Sequence, residues 1–188
     1  GFVVLQVRRA QGRGWALPGT FLHEGEILAD AVERSLAIKA NIRGLSPRQL
    51  HVFDALGRDD RGWVLSVAHV AVVPPEQLAS RFAETTRLIP VHAPGRLIYD
   101  HADIVRLAVD EVRARYAAMP DPDGLLGAEF TLRDLRLVHE AVAGHDLQRD
   151  TFRRAMEPHI VATGATTAGG RGRPAELFRR RPARDTTR

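Results

Sequence analysis

Residues 19–42 read Gly19-Thr20-Phe21-Leu22-His23-Glu24-Gly25-Glu26-Ile27-Leu28-Ala29-Asp30-Ala31-Val32-Glu33-Arg34-Ser35-Leu36-Ala37-Ile38-Lys39-Ala40-Asn41-Ile42. A glycine-containing loop leads into apolar residues at helical spacing, so a helix is expected over 27–40. Ser35, Ile38 and Lys39 stand at i, i+3 and i+4 and share one face of that helix. A face built to hold Mg²⁺ or Mn²⁺ gathers carboxylate oxygens. This one offers a hydroxyl, an alkyl group and an ammonium, and Lys39 is the only lysine in the chain. An ammonium there repels a divalent ion, and Glu26 alone is a poor cage. Arg34 is expected to order the loop by bonding to Glu26 or its neighbours.

The flanks add to this reading. Val3-Val4-Leu5-Gln6-Val7-Arg8-Arg9 has the pattern of a strand ending in basic residues, and Trp15-Ala16-Leu17-Pro18-Gly19 follows. Together these stretches resemble the Nudix box, G-x5-E-x7-R-E-U-x-E-E-x-G-U with U a bulky aliphatic residue, and its usual W-x-L-P-G-G lead. Thr20 falls on the first glycine, with Gly19 just before it, while Glu26 and Arg34 match outright. Ser35, Ile38 and Lys39 replace glutamates, and Asn41 replaces the late glycine. The Nudix reaction uses a divalent metal to neutralise a diphosphate and to activate water. The resemblance therefore implies a diphosphate site whose scaffold survives without its metal-binding carboxylates. The expectation is no metal, no cofactor and no catalytic residue. The competing reading is a metal-dependent Nudix hydrolase of ADP-ribose or a related nucleoside diphosphate derivative. A third is a Nudix-derived module for a protein partner or RNA.

The chain has 188 residues, room for one ordinary domain and a small second one, and at 44% hydrophobic residues a packed core is expected. It has no cysteine, which excludes disulfide scaffolds, Cys-based zinc sites and thiol catalysis. That fits a reducing compartment, and a cytoplasmic location is expected. No apolar run approaches the ~20 residues needed to span a bilayer, and no signal-peptide pattern opens the chain. Starting at Gly1 inside a strand-like run, the sequence is expected to begin after a few lost residues. The net charge of +4 is unevenly spread. Residues 149–188 carry ten arginines against four acidic groups, an asymmetry that hints at nucleic acid, though a solvated basic tail is the ordinary alternative.

Strand-like runs fall at 1–8, 50–56 and 63–73, and helix-like runs at 27–40 and 75–83. This mix suits an α/β sandwich. Residues 100–118 form the longest helix candidate, with Ile104, Leu107, Ala108, Val112 and Tyr116 on one face. The domain junction is placed there, giving 1–98 and 99–188. Beyond it come an extended run at 125–130, a capping-box form at Thr131-Leu132-Arg133-Asp134, a helix, the turn Gly144-His145-Asp146 and a second helix at about 147–157. Leu147, Phe152 and Met156 can pack inward, leaving Arg149, Thr151, Arg153 and Arg154 outside. Strand-like 160–163, the loop Gly169-Gly170-Arg171-Gly172-Arg173-Pro174 and strand-like 175–179 then make a hairpin. This is the order of a winged helix-turn-helix. Its second helix fits a major groove, and arginines of its wing suit the backbone or minor groove. Arg149, Thr151, Arg153, Arg154, Arg171 and Arg173 are the candidate DNA-binding residues, with a solvated helix face and an ordinary hairpin as alternatives.

Three stretches now make the whole chain resemble the Nudix-related transcriptional regulators of the NrtR family. They are the degenerate box with its lead, the segment Phe53 to Gly62 containing Arg58-Asp59-Asp60-Arg61, and Phe130-Thr131-Leu132 with Thr151-Phe152-Arg153-Arg154 and Gly172-Arg173-Pro174-Ala175. The resemblance implies an α/β fold, a Nudix α/β/α sandwich followed by a small winged helix-turn-helix domain. It implies a homodimeric repressor of NAD-biosynthesis or related genes, bound to double-stranded operator DNA, released by an ADP-ribose-like effector and independent of membranes. Arg8, Arg9, Trp15, Gly19, Arg58, Asp59 and Arg61 are the candidate effector contacts, because guanidinium binds phosphate bidentately. For Arg58, Asp59 and Arg61 an internal salt-bridge network is equally open, and for Trp15 a place in the core.

Overall fold

In the computed structural model, residues 1–10, 13–60, 62–167 and 174–182 are described. They divide into two units, Phe2–Glu111 and Val112–Arg188.

In Phe2–Glu111, strand β1 (Val3–Arg8) lies between β2 (Trp15–Ala16) and β5 (Thr86–Pro90), antiparallel to both. The register sets Arg8 opposite Trp15 and Val7 opposite Thr86. A second sheet pairs β3 (Arg48–Phe53) with β4 (Ser66–Val70), with an irregularity between Gln49 and His51. Helix α1 (Leu28–Ala40) buries Ala31, Ser35, Ala37 and Ala40. Val7, Ala40 and Ile42 form the local core, with Leu5, Leu36, Leu45 and Leu78 packed on it.

Asn41 ends α1 in the left-handed region, at φ 55°; its backbone N–H donates to the Ala37 carbonyl, and that of Ile42 to the Leu36 carbonyl. Glycine is the usual residue for that conformation, and asparagine is among the few others that adopt it readily. Here the Asn41 amide also donates to the Ser80 carbonyl at 2.7 Å, and the Ser80 hydroxyl donates back to the Asn41 carbonyl at 3.1 Å. The box thus keeps its stop signal with a different residue.

Three expectations change. The helix expected at 75–83 is a short 3₁₀ turn, Pro75–Leu78, since proline starts such a turn without sustaining it. Strand β5 lies where no strand was expected. The extended run at 125–130 shrinks to β6 (Phe130–Thr131), because the Leu125 and Leu126 N–H groups are held by the Asp121 carboxylate at 2.8 Å each.

Helix α2 (His101–Ala118) contains the Glu111/Val112 boundary, whereas the expected junction at 98/99 lies just before its first residue. Val112–Arg188 continues through β6, α3 (Leu132–Ala143), α4 (Arg149–Met156), β7 (Ile160–Thr166) and β8 (Glu176–Arg180), with strand order β6-β8-β7. The α3 capping box forms: Thr131 Oγ1 accepts from the Asp134 N–H at 3.1 Å, and the Asp134 carboxylate accepts from the Thr131 N–H at 3.2 Å. Phe130, Leu135, Phe152, Met156 and Ile160 make the core, joined by Leu126, Leu132, Leu147 and Phe178.

Candidate effector site and nucleic-acid interface

The loop before α1 is held by one arginine. Arg34 Nε donates to Glu26 Oε1 at 2.7 Å and its Nη2 to Oε2 at 2.8 Å. Further bonds run from Arg34 to the Thr20 hydroxyl at 3.0 Å and to the Phe21 carbonyl at 2.8 Å. The His23 N–H donates to Glu26 at 3.0 Å. Hydrogen bonds from Arg34 and His23 hold the Glu26 carboxyl down to about 2. Both of its oxygens are already committed to these donors.

The neighbouring face of α1 carries no negative charge. Ser35 is 4% exposed, and its Oγ finds no hydrogen-bond partner among the described residues. Ile38 is 67% exposed. The Lys39 ammonium donates to the Gly19 carbonyl, and burial, followed by the nearby Arg34 charge, lowers its pKa. Asp30 and Glu33, the other acids of α1, fall on the opposite side by helical spacing. An ammonium ~4 Å from a divalent ion is repelled by about 8 kcal/mol at an effective dielectric near 20. The donors present do not fit the metal of the Nudix reaction, and among the described residues no group of three or more His, Asp or Glu side chains is placed to hold one.

The other effector candidates fall in varied settings. Arg8 is exposed and lies across the strand pair from Trp15. Arg9 is partly covered. Trp15 is half-buried, with the Arg87 guanidinium 4.3 Å from its ring centre. Arg87 also donates to Gln6, a fully buried side chain whose amide donates to the Pro94 carbonyl. Gly19 is exposed and accepts from Lys39. Arg58 takes the internal ion-pair option: its side chain is 4% exposed and it donates twice to Asp100, at 2.7 and 2.8 Å. Asp59 is buried. Arg61 lies outside the described residues. His101, which sequence reasoning missed, accepts from the Leu17 N–H through Nδ1 at 3.0 Å and ties the Trp15–Pro18 stretch to the start of α2. Burial lowers its pKa, partly opposed by Asp100.

Helix α4 is polarised around its axis. Phe152 and Met156 are buried, while Arg149, Thr151, Arg153 and Arg154 are exposed. Gln148 caps the helix, its side-chain carbonyl accepting from the Thr151 N–H at 2.6 Å. Arg153 approaches Glu157 at 3.9 Å with both side chains more than half exposed, a contact of little strength. β7 and β8 pair antiparallel from Ile160/Arg180 to Thr166/Glu176. Residues 168–173, with Arg171 and Arg173, lie outside the described residues.

Residues 124–180 match the family model of the NrtR DNA-binding winged helix domain. The chain is 30% identical over 175 residues to the ADPR responsive transcriptional repressor NtrR of Acinetobacter baylyi, an alignment covering 88% of this chain and 69% of that protein. The chain belongs to the NrtR family. Shewanella oneidensis NrtR, solved in complex with a 27mer DNA, matches with a TM-score of 0.72 and 30% identity over 96% of this chain and 87% of that one. The NUDIX domain of the same protein, solved with ADP ribose, matches 58% of this chain and 77% of that one at 28% identity and a TM-score of 0.51. Together these bear out the Nudix unit followed by a winged helix expected from the sequence.

This NrtR-family winged helix contains a buried polar cluster that sequence reasoning did not find. Asp121, 1% exposed and at φ 45°, accepts from the Leu125 and Leu126 N–H groups and from Arg180. Its own N–H donates to His139 Nε2 at 3.3 Å. The His139 ring stands edge-on between Tyr116 and Phe152, with centroids 5.1 and 5.0 Å away. Burial pushes the His139 pKa down to about 4, against the pull of the Asp121 charge, and raises that of Tyr116. The unfolded chain binds a proton at His139 near the ordinary histidine value of 6.5, while the folded protein resists until about 4. The associated stability is therefore present above pH 6.5 and lost as pH falls towards 4. A loss on the order of 3 kcal/mol is expected for Val112–Arg188 across that window. Urea unfolding at stepped pH should record it, and His139→Gln should flatten the slope. The Glu26 contribution fades only lower, as pH falls from 4.5 to about 2.

Proposed function

We propose that this protein is a ligand-responsive transcriptional repressor. The Val112–Arg188 unit binds double-stranded operator DNA through α4 and its wing, and the Phe2–Glu111 unit recognises ADP-ribose or a similar nucleotide without cleaving it. The observation that carries the DNA reading is the sidedness of α4, apolar residues inward and three arginines outward. Such a helix presents donors suited to guanine edges and phosphates. The effector reading is supported by the ADP ribose in the related NUDIX domain and by the responsiveness named for the Acinetobacter baylyi relative. The α1 face supports recognition in place of hydrolysis, since a hydroxyl, an alkyl group and an ammonium stand where a metal needs carboxylates. The active form is a homodimer, with NAD-biosynthesis or related genes under its control.

A gel shift with a duplex selected for tight binding tests this reading directly. ADP-ribose is expected to release the DNA, and incubation with ADP-ribose and Mg²⁺ is expected to yield no AMP. Release of AMP at an enzyme-like rate would favour the hydrolase reading. Unaltered DNA binding across ADP-ribose, NAD, nicotinamide nucleotides and sugar phosphates would remove the effector from it.

A further inference from the structure

The α1 face does more than lose a metal site, because it gains a cation of its own. We propose that Lys39 takes the place of the divalent ion, so that this face of α1 and the Gly19–Phe21 loop receive a diphosphate directly and without metal. The inference rests on the proposed effector reading of the Phe2–Glu111 unit.

A diphosphate carries charge that must be neutralised wherever it binds. A metal does this from a carboxylate cage, whereas an ammonium does it as a compact point charge with three rotatable donors. Lys39 sits at one of the box's glutamate positions and is anchored by its bond to the Gly19 carbonyl. That bond uses one donor and leaves the others for a ligand. The second cation of the site, Arg34, is fixed by Glu26, Thr20 and Phe21, which holds the loop in place. Glu26 in turn is satisfied by Arg34 and His23, so its charge does not oppose an incoming anion unpaired. Ser35 and Ile38 add no negative charge to the same face. Each substitution that spoils the site for magnesium therefore makes it less repulsive to phosphate.

The test is calorimetry on the full chain with ADP-ribose and with inorganic pyrophosphate, in EDTA and in excess Mg²⁺. Both probes are expected to bind in EDTA, with affinities within about threefold of those in Mg²⁺. Lys39→Ala should weaken both by roughly tenfold or more at an unchanged melting temperature, and Lys39→Arg should recover most of the loss. Binding that requires Mg²⁺ overturns the proposal while leaving the effector reading intact. Pyrophosphate binding without ADP-ribose binding overturns the effector reading and leaves Lys39 in its role. If neither probe binds, both fall. Wild-type affinity in a folded Lys39→Ala also overturns the proposal, and the EDTA comparison decides it should that variant not fold.

Discussion

The triple variant Arg149→Ala/Arg153→Ala/Arg154→Ala is expected to lose at least roughly a hundredfold in DNA affinity while melting within a few degrees of the parent protein. Each of these arginines stands on the exposed side of α4. A single groove arginine is typically worth about 1–3 kcal/mol, so three together exceed a factor of a hundred. Little stability is at stake, because the core contacts of α4 are made by Phe152 and Met156 and the Arg153–Glu157 approach is exposed. Fluorescence anisotropy over a range of salt gives a second reading. Contacts to phosphate release counterions, so each one lost lowers the salt slope by about one unit. Affinity retained within threefold would rule α4 out as the reading element.

Asp121→Ala is expected to cost the winged-helix unit about 3–5 kcal/mol, the range for breaking a buried ion pair from one side. The Asp121 side chain is fully covered and holds Arg180 together with two backbone N–H groups. Alanine would leave the two backbone N–H groups without their acceptor and strip Arg180 of its charged partner, leaving it the Leu126 and Gly127 carbonyls, and it would occupy a left-handed conformation that aspartate tolerates better. Asp121→Asn keeps the shape and one acceptor and should cost distinctly less. Hydrogen exchange at α3 amides isolates this unit from the rest of the chain. Protection there should fall by roughly a hundredfold to several thousandfold in Asp121→Ala. A loss below about tenfold would show that Arg180 and the loop satisfy one another without the carboxylate.

Local periodicity made the helices legible. The spacing read over 27–40, 100–118 and 147–157 corresponds to α1, α2 and α4, because an amphipathic helix writes its buried face into neighbouring residues. Thr131 and Asp134 announced the start of α3 in the same way. The Arg34–Glu26 bond was legible because both ends belong to one motif. What escaped is held by partners far apart in sequence. β5 is five residues ending in Pro90, too short to show alternation, and it exists because β1 pairs with it. The Asp121–Arg180 pair, the Gln6–Arg87 bond and the His101–Leu17 bond each join residues more than fifty positions apart. Arg58 shows the same limit from the other side. Its sequence allowed a ligand contact or an internal pair, and the pair with Asp100, forty-two positions away, becomes visible only in the fold.

Helix α4 has only eight residues. A segment that short does not stay helical in water by propensity alone. Its shape is lent by the Gln148 cap and by the two side chains it sinks into the core. Selection for loss of repression would therefore collect changes at Phe152 and Met156 alongside changes at the arginines, and an inherited defect in gene control need not lie at any residue that touches the double helix.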